Sequence, residues 1–66
     1  MQLKFNELDT VKTLINFPEK GVAKCELGAI VHVFWEPCEA YEVEFVNEDG
    51  STKAMFAVLP NQITKA

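Results

Sequence analysis

Apolar and polar positions divide the middle of the chain, Gly28 to Val58, into three runs separated by two short turn clusters. The runs are 28–35, 40–46 and 51–58; the clusters are Glu36–Glu39, which contains Pro37, and Asn47–Gly50. Short β-branched and aromatic runs bounded in this way predict a three-stranded antiparallel meander. The central run, Ala40 to Val46, alternates strictly. Tyr41, Val43 and Phe45 fall on one face, Glu42 and Glu44 on the other. A slip of one residue would bury both carboxylates, so the pattern also fixes the register.

The run before it behaves differently. Ala29 to Trp35 is apolar at every position except His32. In so short a chain this implies either a strongly bent strand serving two halves of a sheet or a face covered by a partner, and bending alone is sufficient. Gly28 at its start suits a bend or the close approach of another segment. Pro37 cannot donate to a ladder, which sets the first turn. Asn47 and Gly50 suit a type I turn closed by a residue with positive φ.

The flanks carry weaker signals. Met1 to Leu8 brings Phe5 and Leu8 toward the core as an entry strand or one irregular turn. Asp9 to Ile15 reads as a first strand with Val11, Leu14 and Ile15 as its apolar residues. Asn16 to Leu27 is the longest connection, punctuated by Asn16, Pro18 and Gly21, and a loop of that length is expected to double back as a loose hairpin. Phe17 and Val22 then either close one end of the core or serve as a recognition loop. Leu59–Gln62 reads as one 3₁₀ turn, and Ile63 anchors a short closing strand.

Together these elements predict an all-β fold: a small five-stranded antiparallel SH3-like barrel with one long loop between strands 1 and 2, in a single domain spanning 1–66. Val11, Ile30, Val43, Phe45, Phe56 and Val58 are its expected core. A chain of 66 residues buries only ~60% of its unfolded surface. It has little interior in which to hollow a deep pocket, and a flat or grooved binding surface is the more natural site.

Charge narrows the partners. The chain has six lysines, no arginine and ten acids, for a net charge of −4. Glu36, Glu39, Glu42, Glu44, Glu48 and Asp49 form an acidic block that contains no base. Direct nucleic-acid binding is therefore not expected, because nothing in this block neutralises phosphate. The acids serve either as a solvated face that keeps the domain soluble or as a surface for a basic protein. No apolar leader or membrane-length run is present, and Cys25 and Cys38 do not make a disulfide framework. The expectation is a cytoplasmic protein with free thiols, no membrane association, and a monomeric or weakly homo-oligomeric state.

Candidate chemistry is sparse. His32 lacks a recognisable orienting partner, and Glu26 and Glu39 beside the two cysteines disfavour thiolates. Two cysteines and one histidine without a CxxC pair do not make a metal site. No catalytic residue, metal or cofactor is expected. Trp35, ending a strand beside a proline turn, either caps the core or forms the floor of a peptide groove.

The segments 5–11, 18–21, 27–33 and 39–46, followed by Asp49 and Gly50, resemble the small prokaryotic family called domain of unknown function 4926. Glu39–Phe45 followed by a glycine turn is the most specific part. The resemblance implies an SH3-like barrel and short stand-alone proteins often encoded beside other small proteins, some in arrangements like toxin–antitoxin or immunity pairs. It supplies no catalytic residue. Cys25 departs from the Gly-Asp-x-Gly turn common in the family, so the positive φ that glycine would provide there lacks its usual residue.

These readings converge on a non-enzymatic protein-binding module, antitoxin- or immunity-like in its pairing with a neighbouring protein. The alternative is a structural or accessory subunit of a larger enzyme assembly. The partner-binding residues expected are Phe17, Trp35, Glu36, Glu39, Glu42 and Glu44, facing a protein with a basic surface.

Overall fold

A computed structural model of the chain describes residues 3–66. Five strands follow one another: β1 (Thr10–Thr13), β2 (Leu27–Phe34), β3 (Ala40–Val46), β4 (Thr52–Val58) and β5 (Ile63–Lys65). Two 3₁₀ turns interrupt them, Pro18–Lys20 inside the β1–β2 loop and Pro60–Gln62 before β5. All neighbouring pairs are antiparallel, in one sheet of order β4-β3-β2-β1-β5.

The expected closure into a barrel is not formed. β4 and β5 are the two ends of the sheet, and no ladder joins them. β5 is only three residues long, and its register is taken up with β1, from Val11↔Lys65 to Thr13↔Ile63. The sheet nevertheless curls about one core. Val11, Ile30, Val43, Phe56 and Ile63, one from each strand, belong to a single buried cluster with Phe5, Val22, Tyr41, Phe45 and Val58. All six expected core residues are in it. Each large side chain so buried contributes about 1.5–3 kcal/mol.

β3 follows its sequence pattern. Tyr41, Val43 and Phe45 are fully buried, while Glu42 and Glu44 lie on the outer face. In β2 the pairing shifts between Ile30 and His32, so Val31 is an extra residue. Such a bulge bends a strand and changes its facing. Ile30 opposite Val43 and Val33 opposite Tyr41 both turn inward, three positions apart, and His32 faces outward opposite Glu42. One shift in pairing thus lets this nearly all-apolar run turn Ile30 and Val33 to the same face. Gly28 allows a close approach: a Cβ there would sit 2.6 Å from Val43 Cγ1 and 2.9 Å from two carbons of the Phe45 ring.

The first strand needs correction. It runs from Thr10 to Thr13, not Asp9 to Ile15, and Leu14 and Ile15 lie beyond it, exposed. The residue that turns inward with Val11 is Thr13, fully buried. Its Oγ1 donates to Ala23 O at 2.7 Å and accepts from Glu26 N at 3.0 Å, so a polar residue here satisfies the backbone of the long loop.

That loop doubles back as expected. Phe17 and Val22 form an isolated antiparallel bridge, with Phe17 N donating to Val22 O at 2.7 Å, and Gly21 at φ 71° turns the chain. It also reaches β4, with which β3 already pairs. The Phe17 ring lies 5.0 Å from Phe56, Lys20 Nζ sits 5.6 Å from the same ring, and Glu26 pairs with Lys53 at 2.8 Å. The Lys53 ammonium, with a further bond from Ala23 N, holds the Glu26 carboxyl below its ordinary pKa. Cys25, although not a glycine, adopts the left-handed conformation at φ 68°.

At the N-terminus, Phe5 is buried as expected and packs edge-on against Tyr41 at 5.2 Å. Leu8 is not on the core: it is 84% exposed, with φ 72°. The entry segment's first two residues lie outside the described range. At the other end, Gln62 Oε1 accepts from Leu59 N at 2.8 Å, which closes the last turn and leads Ile63 into the core.

Candidate functional site

The outer face of β2–β3–β4 gathers the acids and several exposed apolar side chains. Two cross-strand rows define it, Ala29–Glu44–Met55 and His32–Glu42–Ala57. No lysine stands opposite either carboxylate. Among the described residues neither takes part in an ion pair, although Glu44 accepts a hydrogen bond from Thr52 Oγ1 at 2.6 Å. Met55 and Val46 are about half exposed and Leu27 somewhat more. A small hollow of about 210 Å³ opens among Thr10, Leu27, Ala29, Glu44 and Val46 beside Gly28. The face is therefore acidic along its middle and apolar toward one end.

Glu39 is placed elsewhere. Its carboxylate accepts hydrogen bonds from the Tyr41 hydroxyl and from Lys4 N. Tyr41 is a core residue, so Glu39 anchors the N-terminal segment on the inner side and does not extend the outer face. Burial first, then donation to Glu39, raises the Tyr41 phenol above its ordinary pKa. Phe17 likewise stands apart from the acids, against Phe56. Of the six residues expected to form one partner site, Glu42 and Glu44 share a face. Trp35 and Glu36 sit together at the β2–β3 turn, and Phe17 and Glu39 are engaged in packing and anchoring.

Trp35 does not cap the core. It is 54% exposed and forms one wall of an open hollow of about 620 Å³, lined also by Leu3, Asn6, Glu7, His32 and Val33. The opposite wall belongs to the N-terminal segment, which is firmly held. Phe5 N donates to the Tyr41 hydroxyl at 3.3 Å, Asn6 N to Asp9 Oδ2 at 2.9 Å, and Leu8 N to Ile30 O at 2.8 Å. Sequence pattern did not point to Asn6 or Glu7, because the hollow joins segments far apart in the chain. The outward turn of His32 and its edge-on contact with Phe34 at 4.6 Å follow from the bulge at Val31.

Cys25 and Cys38 are exposed and unbridged. Among the described residues no three of His, Cys, Asp and Glu gather as metal ligands, and no helix is long and apolar enough to cross a membrane.

A family model described as a domain of unknown function (DUF4926) matches residues 7–65. The chain belongs to this family. The match takes in all five strands, the outer face of β2–β3–β4, and the Glu7, His32, Val33 and Trp35 side chains of the hollow. Comparison with curated proteins and with solved structures gave no match.

Proposed function

We propose that this DUF4926 protein is a non-enzymatic, cytoplasmic protein-binding module whose outer β2–β3–β4 face docks on a basic partner, in an antitoxin- or immunity-like pairing. One observation carries the reading: Glu42 and Glu44 stand on an open sheet face with no lysine in register beside them, next to half-exposed Met55 and Val46. Unpaired like charges repel one another unless a complementary surface covers them, and apolar neighbours supply the area that charge alone does not. The strand order, together with a 3₁₀ turn before the last strand, supports an SH3-like barrel left open between β4 and β5. Two exposed, unbridged cysteines favour a reducing compartment.

The test begins with affinity capture from the native host and identification of the partner by mass spectrometry. Association kinetics then decide whether the face is used. Glu42→Lys with Glu44→Lys should slow association about tenfold or more at low salt, with a smaller difference at high salt. Both positions are on the surface, so the circular-dichroism spectrum should be unchanged. Equal on-rates for parent and variant would return the acids to a solubility role. Recovery of a large multi-subunit enzyme in place of one small cognate protein would favour an accessory subunit.

A further inference from the structure

The hollow beside Trp35 has the composition of a receptor for one cationic side chain, and we propose that it receives an arginine of the partner protein. This inference rests on the protein-binding reading above and names a second point of contact, separate from Glu42 and Glu44. Trp35 is more than half exposed, Val33 and Leu3 add apolar lining, and the acidic residue Glu7 lines the same hollow. No lysine lines it. Among the described residues Glu7 takes part in no ion pair.

A flat guanidinium can stack on an indole while its N–H groups reach a carboxylate at the rim; an ammonium offers only a point charge. Arginine is therefore the cation that the two walls fit together. The site is also built in advance. Asn6 N on Asp9, Leu8 N on Ile30 O and Phe5 N on Tyr41 fix the backbone on both sides of Glu7, so little order remains to be imposed on binding. A second copy of this chain cannot supply the ligand, because the sequence contains no arginine.

Trp35 is the only tryptophan, so fluorescence excited at the red edge of the absorption band, where Tyr41 does not absorb, reports on the surroundings of Trp35. The probes are acetyl-Gly-Arg-Gly-amide and the same tripeptide with Lys or Gln at the centre. The arginine peptide should shift Trp35 emission in a dose-dependent way, with a Kd on the order of tens of millimolar, the weak affinity expected of one exposed cation–π contact and one surface ion pair. The glutamine peptide should bind at least about fivefold more weakly, and the lysine peptide between the two. Glu7→Gln should weaken the arginine peptide roughly 3- to 5-fold, and Trp35→Leu should abolish the amide shifts of Glu7 and His32 seen by NMR. Glu7 and Trp35 are both exposed, and circular dichroism verifies that each variant is folded. Equal affinity for the arginine and glutamine peptides, an unaffected Glu7→Gln variant, or amide shifts confined to Glu42 and Glu44 would overturn the assignment. The last outcome would leave the outer-face reading intact, whereas slowed partner association in Glu7→Gln but not in the Glu42/Glu44 variant would reject that reading and keep this one.

Discussion

β3 and the loop between β1 and β2 hold their backbones in place by opposite means. In β3, every second side chain is fully buried, and ladders on both sides satisfy the main chain. The β1–β2 loop buries only Val22 completely enough to join the core. Its order comes from polar and conformational devices: the Thr13 hydroxyl, the turn at Gly21, the left-handed Cys25 and the Glu26–Lys53 pair. Apolar burial is non-directional and large, whereas these devices are directional and individually small. Disturbing β3 should therefore unfold the molecule, and disturbing the loop should release the loop alone.

The largest effect is expected at Phe45. Its ring is fully buried and stacks on Phe56 at 5.4 Å, and it also fills the space left by Gly28. Phe45→Ala should cost about 3–5 kcal/mol through lost burial and a residual cavity, against a total stability of roughly 5–15 kcal/mol for natural domains. For a domain this small, most or all of the thermal transition should be lost by circular dichroism. A melt within a few degrees of the parent would remove β3 from its place as the organising strand.

Thr13 tests the other half of the comparison. Thr13→Val keeps the shape but leaves Ala23 O and Glu26 N without their side-chain partner, at a cost of about 1–3 kcal/mol. Hydrogen exchange should quicken at the Cys25 and Glu26 amides far more than in β3, because local openings draw on local stability. Equal acceleration in both regions would mean that the loop and the meander unfold as one unit, and the contrast would fail.

How far the sequence could be read follows the same division. The strict alternation of Ala40 to Val46 determines facing and register directly, and the six core residues follow from it and its neighbours. The bulge at Val31 is hidden because β2 is apolar at nearly every position, so a shift in facing leaves no trace in the pattern. The pattern favours Leu14 and Ile15 over Thr13, because hydropathy cannot register a threonine buried for its hydrogen bonds. The gap between β4 and β5 depends on how far a sheet curls, which no local pattern encodes. The same limit applies to the candidate site. Glu42, Glu44 and Trp35 are legible as exposed or terminal strand residues, but Trp35 and Glu7 line one hollow only after the N-terminal segment has docked on Tyr41 and Ile30.

The smallest effect, and the one of opposite sign, is expected at Cys25. A non-glycine residue in the left-handed region costs roughly 1–2 kcal/mol. Glycine removes that strain but loses more chain entropy on folding, by about 0.5–1 kcal/mol. Cys25→Gly should therefore stabilise the protein by about 0.5–1 kcal/mol, a rise of a few degrees in melting temperature for a domain this short. Cys25 is exposed, so the change forfeits no core packing. Cys25→Ala is the control: it removes the thiol but retains the Cβ, and should leave the melting temperature close to the parent's. If glycine and alanine raise stability equally, the thiol and not the backbone is the source, and φ 68° at this position carries no measurable strain. If glycine lowers it, entropy outweighs strain even at a left-handed residue. The loop would then depend on the stiffness of its chain as well as on the Thr13 hydroxyl, which brings it closer to β3 in kind than the comparison allows.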